Sequence, residues 1–187
     1  IGPHMKRESL LMDFTSLKGE PLREMLACST SDVIGCHPLF GPDAGSLSNQ
    51  NVVICPGRGQ KWLPWLLETF ERGGARVVET TPGHHDRMMS LIQGLNHINT
   101  ISLGLALRRS GIDPGELDRY STPIFRTKMS MMEKVFHQSP GLYAEIITGN
   151  PDVKEAVSIY EGIVAELKDI ILRKDKQGLK DLLVVKS

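Results

Sequence analysis

The chain has 187 residues, 22 basic and 22 acidic side chains, no net charge at neutral pH and 5% aromatic content. Balanced charge excludes a concentrated basic footprint for nucleic acid, and so few aromatics leave no stacking platform for single strands. Three cysteines (Cys28, Cys36 and Cys55) without CxxC spacing point to a reducing compartment and argue against a disulfide frame or a zinc site. No apolar run reaches bilayer length and no signal peptide opens the chain, so the expectation is a soluble, cytoplasmic protein with no membrane partner. Gly2-Pro3-His4-Met5 resembles the remnant of a cleaved tag, but Ile1 precedes the glycine where a remnant would begin. Native sequence, starting inside a domain, is the preferred reading.

Residues 10–15 read as a strand, and 20–27 as a short helix that tolerates Pro21 in its first turn. Segments 33–36 and 52–55 read as strands, 61–72 as a helix ended by Gly73-Gly74, and 76–79 as another strand. Strands alternating with helices predict a sheet of substantial parallel character. From Thr81-Pro82, an N-cap followed by a first helical position, the pattern turns helical throughout. Residues 82–110 are apolar on nearly every side (Met88, Met89, Leu91, Ile92, Leu95), which suits the middle of a bundle. Further helices are expected at 122–138, 140–148, 151–174 and 176–183. In the 151–174 helix, Val153, Val157, Tyr160, Val164, Leu167 and Ile171 alternate four and three residues apart. That seam suits another helix, from this chain or a second subunit.

His37 has the most distinctive setting of any polar residue. The run Asp32-Val33-Ile34-Gly35-Cys36 reads as a buried strand that Pro38, lacking a backbone donor, is expected to stop, with a Gly41-Pro42 turn beyond. Ligands of open α/β sheets sit beyond the carboxyl ends of the strands. A second strand-end cluster, Asp13-Phe14-Thr15-Ser16-Leu17-Lys18, precedes it by one helix. In the central helix Gln93, His97, Thr100 and Gly104 fall four, three and four apart, with Asn96 and Asn99 alongside. Such a polar stripe needs a partner when buried, and either helix-to-helix hydrogen bonding or a ligand would supply one. Arg126 and Lys134 share one helix, about 80° and about 12 Å apart, so one could face a cleft while the other anchors a neighbour. Solvated charges on an amphipathic helix are the plainer alternative.

Three further features carry less weight. Pro56-Gly57-Arg58-Gly59 looks like a phosphate loop between strand and helix but lacks the third glycine and the P-loop Lys-Ser/Thr. His84-His85-Asp86 hints at a metal, yet neighbours on a helix diverge and HExxH spacing is missing, so a solvated first turn is expected. Ser16 with His37 could suggest acyl transfer, but there is no GxSxG elbow and no third member is apparent.

Taken together, "MDFTSLKGEPL", "HPLFGPDAGSL", "HDRMMSLIQGLNH" and "STPIFRTKMSMMEKVFHQSPGLYAEI" closely resemble prephenate dehydrogenase, in the branch that includes bacterial enzymes fused to chorismate mutase. The resemblance implies an α/β part followed by an all-α part: 1–81 as the C-terminal portion of a Rossmann-type nucleotide domain, and 82–187 as a helical domain for substrate binding and dimerisation. It implies NAD- or NADP-dependent oxidative decarboxylation of prephenate, with arogenate as an alternative substrate, in a homodimer that tyrosine could inhibit. His37 resembles the catalytic histidine that takes the ring hydroxyl proton. Ser16 resembles the residue that positions that hydroxyl and the nicotinamide, with Pro38 beside it on the cofactor side. Lys18 and His97 resemble polar members of the substrate pocket, Arg126 the arginine of a PIxR motif, and Tyr143 an aromatic position near the pocket. Lys134 stands where the family usually has a carboxylate-binding arginine, keeping the charge without the bidentate fork. The chain contains no GxGxxG turn, and the match places its start near the fifth strand of the nucleotide domain. As written, it is expected to form much of the substrate pocket but to be inactive alone, without the usual pyrophosphate site. Two other readings stand beside the enzyme: a non-catalytic helical module that dimerises and binds tyrosine or a related aromatic acid, and a β-hydroxyacid-type dehydrogenase sharing the helical domain.

Overall fold

Two short apolar runs, each followed by a glycine- or proline-bearing break, build the centre of the molecule. In a computed structural model, residues 2–41 and 43–184 are described. Ile1, Pro42 of the expected Gly41-Pro42 turn and residues 185–187 of the expected helical domain lie outside them. After a 3-10 turn at Gly2–His4, the first part alternates β1 (Leu10–Asp13), α1 (Gly19–Cys28), β2 (Asp32–Pro38), β3 (Asn51–Arg58), α2 (Leu63–Arg72) and β4 (Arg76–Glu79). The sheet has the order β1-β2-β3-β4. Its outer pairs β1–β2 and β3–β4 are parallel and its central pair β2–β3 is antiparallel, so the sheet is mixed. No helix separates β2 from β3, and an antiparallel return needs none.

One sheet face packs on α2 through Ile34, Cys36, Val52, Ile54, Leu63 and Leu66. The other face meets α1 so closely that a Cβ on Gly35 would lie 3.0 Å from Lys18 Cδ and 3.3 Å from Leu22 Cδ1 and would push on both side chains. Val33, Val52, Ile54, Cys36 and Cys55 are at most 1% exposed, so the two central strands form the core of this part.

Two strand expectations change. Pro38 does not stop β2, because the ladder continues through Pro38–Val52 and Leu39 N–H donates to Asn51 O at 2.9 Å. Alternate N–H groups of an antiparallel strand face the same neighbour, so Pro38's missing donor falls on the β1 side, where pairing already ends at Gly35. The Pro56-Gly57-Arg58 stretch is not a loop but the end of β3. Arg58 turns back onto the chain, with Nε donating to Ser31 O (3.0 Å) and Nη1 to Leu26 O (3.3 Å). Its guanidinium is thereby occupied in tying α1 to the sheet.

From Thr81 the chain is helical. α3 (Pro82–Met89) runs through a π turn (Ser90–Leu95) into α4 (Asn96–Ser110), followed by α5 (Pro114–Arg119), α6 (Pro123–His137), α7 (Pro140–Gly149), α8 (Val153–Arg173) and α9 (Lys176–Leu183). Side-chain oxygens of Thr81, Asp113, Thr122 and Asp175 cap four of the N-termini. Gly94 brings the π turn against α8, since a Cβ would sit 2.5 Å from Val153 Cγ2. The central rod is not enclosed as its composition suggested: α4 has no buried residue, and Leu91 and Ile92 are half exposed. Described residues of one chain do not supply enough apolar surface to surround it.

Candidate active site

Because β1 and β2 are parallel, their carboxyl ends share one edge of the sheet. Ser16 follows β1 from that edge, and His37 is the next-to-last residue of β2. Opposite stand the π turn, α4, α6 and α7, leaving a cleft of about 580 Å³. Ser16, His37 and Pro38 line its sheet wall, while Gln93, Asn96, His97, Thr100, Lys134 and Tyr143 line its helical wall. The ring of His97 meets Tyr143 edge-on with centroids 4.9 Å apart, and the Tyr143 hydroxyl donates to Gln138. Burial lowers the His97 pKa and raises that of Tyr143. Of the remaining stripe, Asn99 reaches Tyr160 of α8 (2.6 Å) and Gly104 lies outside this cleft. The stripe thus divides between a cleft-facing part and a helix-to-helix part.

Two of the expected residues do not line the cleft. Lys18 is fully buried beneath it, paired with Asp13 and 3.3 Å from Thr15 Oγ1. It sets the local field rather than touching the open space. Arg126 projects elsewhere: its Nε lies 3.1 Å from Asp118 Oδ1 in an exposed ion pair that ties α6 to α5.

The expected solvated turn at His84-His85-Asp86 is a correction. Only His84 faces solvent, whereas His85 is 2% and Asp86 7% exposed. His85 Nε2 lies 2.9 Å from His37 Nδ1, and His85 Nδ1 lies 2.7 Å from Asp86 Oδ1. Asp86 also accepts from the backbone N–H groups of Lys18 (2.9 Å) and Gly19 (2.8 Å), capping α1 from across the interface. Asn150 Nδ2 in turn holds the Asp86 carbonyl at 2.7 Å. On the far side of the His37 ring, Gln93 Nε2 approaches His37 Nε2 at 3.4 Å, while Gln93 Oε1 is buried without a partner among the described residues.

A signal for His85 was present. Residues 85, 89, 93 and 97 are spaced four apart, so His85 extends the polar stripe backwards. On a regular helix eight residues would swing Gln93 about 80° away from His85, at 100° per residue. The π turn accommodates one extra residue and returns Gln93 to the same face.

Electrostatically, burial first, then the neighbouring His85 and Lys18, pull the His37 pKa from 6.5 to about 4. It is a neutral imidazole at neutral pH. For Asp86, burial pushes upward, but hydrogen bonds from His85, Lys18 and Gly19 prevail and hold the carboxyl below its ordinary value. Burial raises the thiols of Cys36 and Cys55 to about 12, so both are inert.

Comparison with known proteins identifies the family. The family model for the prephenate dehydrogenase nucleotide-binding domain matches residues 1–79, and the model for the prephenate dehydrogenase dimerization domain matches 81–184. The T-protein of Enterobacter agglomerans is 36% identical over 176 residues, covering 94% of this chain and 47% of that protein. A probable arogenate/prephenate dehydrogenase of Methanocaldococcus jannaschii is 34% identical, with 95% and 41% covered. The chain spans about half the length of the curated relatives it matches. Among solved structures, prephenate dehydrogenase from Aquifex aeolicus in complex with hydroxyphenyl propionate and NAD+ superposes with a TM-score of 0.78 at 21% identity, covering 96% of this chain and 65% of that one. Synechocystis arogenate dehydrogenase gives 0.73 at 22% identity, covering 97% and 68%. With both domain models matched in order over nearly its whole length, the chain belongs to the prephenate dehydrogenase family.

Proposed function

We propose that this chain forms the substrate side of an enzyme that oxidatively decarboxylates prephenate, or its amino counterpart arogenate, using NAD or NADP, and that its helical half pairs with a second copy. The observation that carries this reading is a buried neutral His37 facing, across one cleft, the side chains of Gln93, His97 and Lys134. One neutral proton acceptor and one cation suit a substrate with a hydroxyl at one end and a carboxylate at the other.

Lys134 holds the side-chain carboxylate as a point charge. That places the ring hydroxyl toward Nε2 of His37. The ring carboxylate, given no second Lys or Arg in the cleft among the described residues, remains free to leave as carbon dioxide. The sheet edge also fits a nicotinamide: Ser16 and Pro38 share a wall with His37, and Gln93 Oε1 is a buried acceptor without a protein donor among the described residues. Those residues would hold the nicotinamide, which would supply a hydride acceptor for the hydroxyl-bearing ring carbon. As that hydrogen departs, the hydroxyl becomes strongly acidic, so even a weakly basic imidazole takes its proton. Loss of carbon dioxide then makes the ring aromatic, and His37 returns the proton to the phenolic oxygen.

The test is prephenate-dependent formation of reduced nicotinamide by the intact protein, with NAD and NADP each supplied, and arogenate as the parallel substrate. His37→Asn should lower turnover by about 10³-fold while leaving the circular dichroism unchanged. Undiminished turnover in that variant would overturn the assignment.

A further inference from the structure

His37 exposes one ring nitrogen to the cleft and hides the other, and a neutral imidazole accepts a proton only at the nitrogen without one. Which nitrogen that is depends on what the hidden one touches. The contact is His85 Nε2, 2.9 Å from His37 Nδ1, and behind it lies Asp86 Oδ1, 2.7 Å from His85 Nδ1.

The far end fixes the sequence of bonds. Asp86, held ionised by its three donors, is an acceptor only, so His85 Nδ1 must carry the hydrogen. With that one hydrogen on Nδ1, His85 keeps a lone pair on Nε2, and the hydrogen between the two rings belongs to His37 Nδ1. His37 Nε2 is then bare. At the near end the Gln93 amide nitrogen lies 3.4 Å from that atom, a contact compatible with a bare Nε2. We propose that His85, anchored by Asp86, is a positioning residue that fixes His37 in the Nδ1–H tautomer and so presents Nε2 to the cleft as the proton acceptor.

The inference deepens the dehydrogenase reading and rests on it for its catalytic consequence. In the step concerned, the substrate O–H bond breaks, its electron pair stays on oxygen and its proton forms a bond to His37 Nε2. His37 Nδ1–H keeps its bond to His85 throughout, and the new imidazolium charge is met at the end of the chain by the Asp86 carboxylate. Without His85 the imidazole reverts to its intrinsically favoured Nε2–H form, which offers the hydroxyl a second donor in place of an acceptor. His85 is the residue to vary, since Asp86 additionally caps α1.

Two variants of the intact protein separate positioning from packing. His85→Leu keeps bulk but removes the acceptor, whereas Oε1 of His85→Gln can take the Nδ1–H bond. Nitrogen-15 NMR of labelled imidazoles at pH 7.5 reads the tautomer directly. The expected result is His37 protonated on Nδ1 in the wild type and in His85→Gln, and on Nε2 in His85→Leu. With prephenate and dinucleotide, His85→Leu should lose about 100-fold in kcat with KM nearly unchanged, and His85→Gln should recover most of that loss. Wild-type His37 protonated on Nε2 would overturn the proposal, as would a His85→Leu kcat within about threefold of wild type or a His85→Gln variant as slow as His85→Leu. Absence of turnover by the wild type on prephenate and arogenate alike would instead reject the function. The tautomer measurement needs no substrate, so the two failures remain distinct.

Discussion

The two central strands of the sheet half are closed over within the chain, whereas the long helices of the helical half are not. In β2 and β3 the apolar residues Val33, Ile34, Cys36, Val52, Ile54 and Cys55 are almost fully removed from water. The longer helices behave differently: α4 buries no residue, and α8 buries only Val153, Ala156 and Ile170 of its 21. Toward the end of α8, Ile171 and Leu172 are 68% and 71% exposed, and α9 adds Leu183 at 73%. A second apolar groove of about 540 Å³ opens between α4, α5 and α6. Exposed apolar side chains and an apolar groove of this kind are what an interaction face presents. The seam Val153, Val157, Tyr160, Val164, Leu167, Ile171 illustrates the division along a single helix, buried at its start and open at its end. The central strands draw their stability from contacts within the chain. In the helical half, stability belongs to the proposed pair.

The sharpest test sets one isoleucine from each half against the other. Ile54→Ala empties a site that is completely buried against α2, and should cost about 2–5 kcal/mol in urea denaturation. The double change Ile171→Asp with Leu172→Asp should leave the protomer's sheet intact and shift sedimentation from dimer to monomer. If the α8 change melted the sheet, or left the association state untouched, the contrast would fail.

A second test acts where the halves meet. His37 is faced by Asp13 of β1, Lys18 at the head of α1, and His85 and Asp86 of α3. Unfolded, His37 takes a proton near pH 6.5; folded, it does so only near 4. Between these values the unfolded state binds more protons, so stability falls as pH is lowered and this contribution is fully lost below about 4. The loss from His37 alone amounts to about 3 kcal/mol. Asp86, held low, adds a loss of the same sign at still lower pH as it protonates. Denaturation at fixed protomer concentration from pH 7.5 to 4.5 should show this slope, flattened in His37→Asn. A flat wild-type profile would show that the junction is not the acid-sensitive element.

Legibility in the sequence follows the same division. Strands and helices of the first half are local patterns, and their expected spans fall within a few residues of those observed. The antiparallel β2–β3 pairing had a signal, since 39–50 contains no helix to carry a parallel crossover. The helix Pro114–Arg119 also had one, with Asp113 as N-cap, Pro114 in the first turn and Glu116 N–H capped at 3.0 Å. The His37–His85 contact was less accessible: it joins residues 48 apart in the chain, and the π turn that aligns Gln93 with them is a hydrogen-bond shift rather than a residue type. Polar residues next to a proline-started helix turn read as solvated because that is where most such residues lie. Asp86 differs because α1 brings two unsatisfied N–H groups to it, which only the folded chain reveals.

The smallest expected effects separate two of the cations of α6, one serving the junction and the other the helical half alone. Lys134 lines the cleft from the helical wall while His37 lines it from the sheet, so its charge acts across the junction. Arg126 sits eight residues earlier and is committed to Asp118 within the helical half, both side chains being more than half exposed. If the carboxylate of prephenate is held by Lys134, Lys134→Gln should raise KM by about 10- to 30-fold with little change in kcat, the loss of one charge-assisted hydrogen bond. Lys134→Arg would supply a forked donor and is expected to lower KM or leave it unchanged. Arg126→Gln should leave KM within about twofold and cost less than about 1 kcal/mol of stability, as exposed ion pairs usually do. A KM that responds to Arg126 and not to Lys134 would reverse the assignment, placing the substrate's anchor on the α5–α6 side and breaking the link between the helical wall and His37.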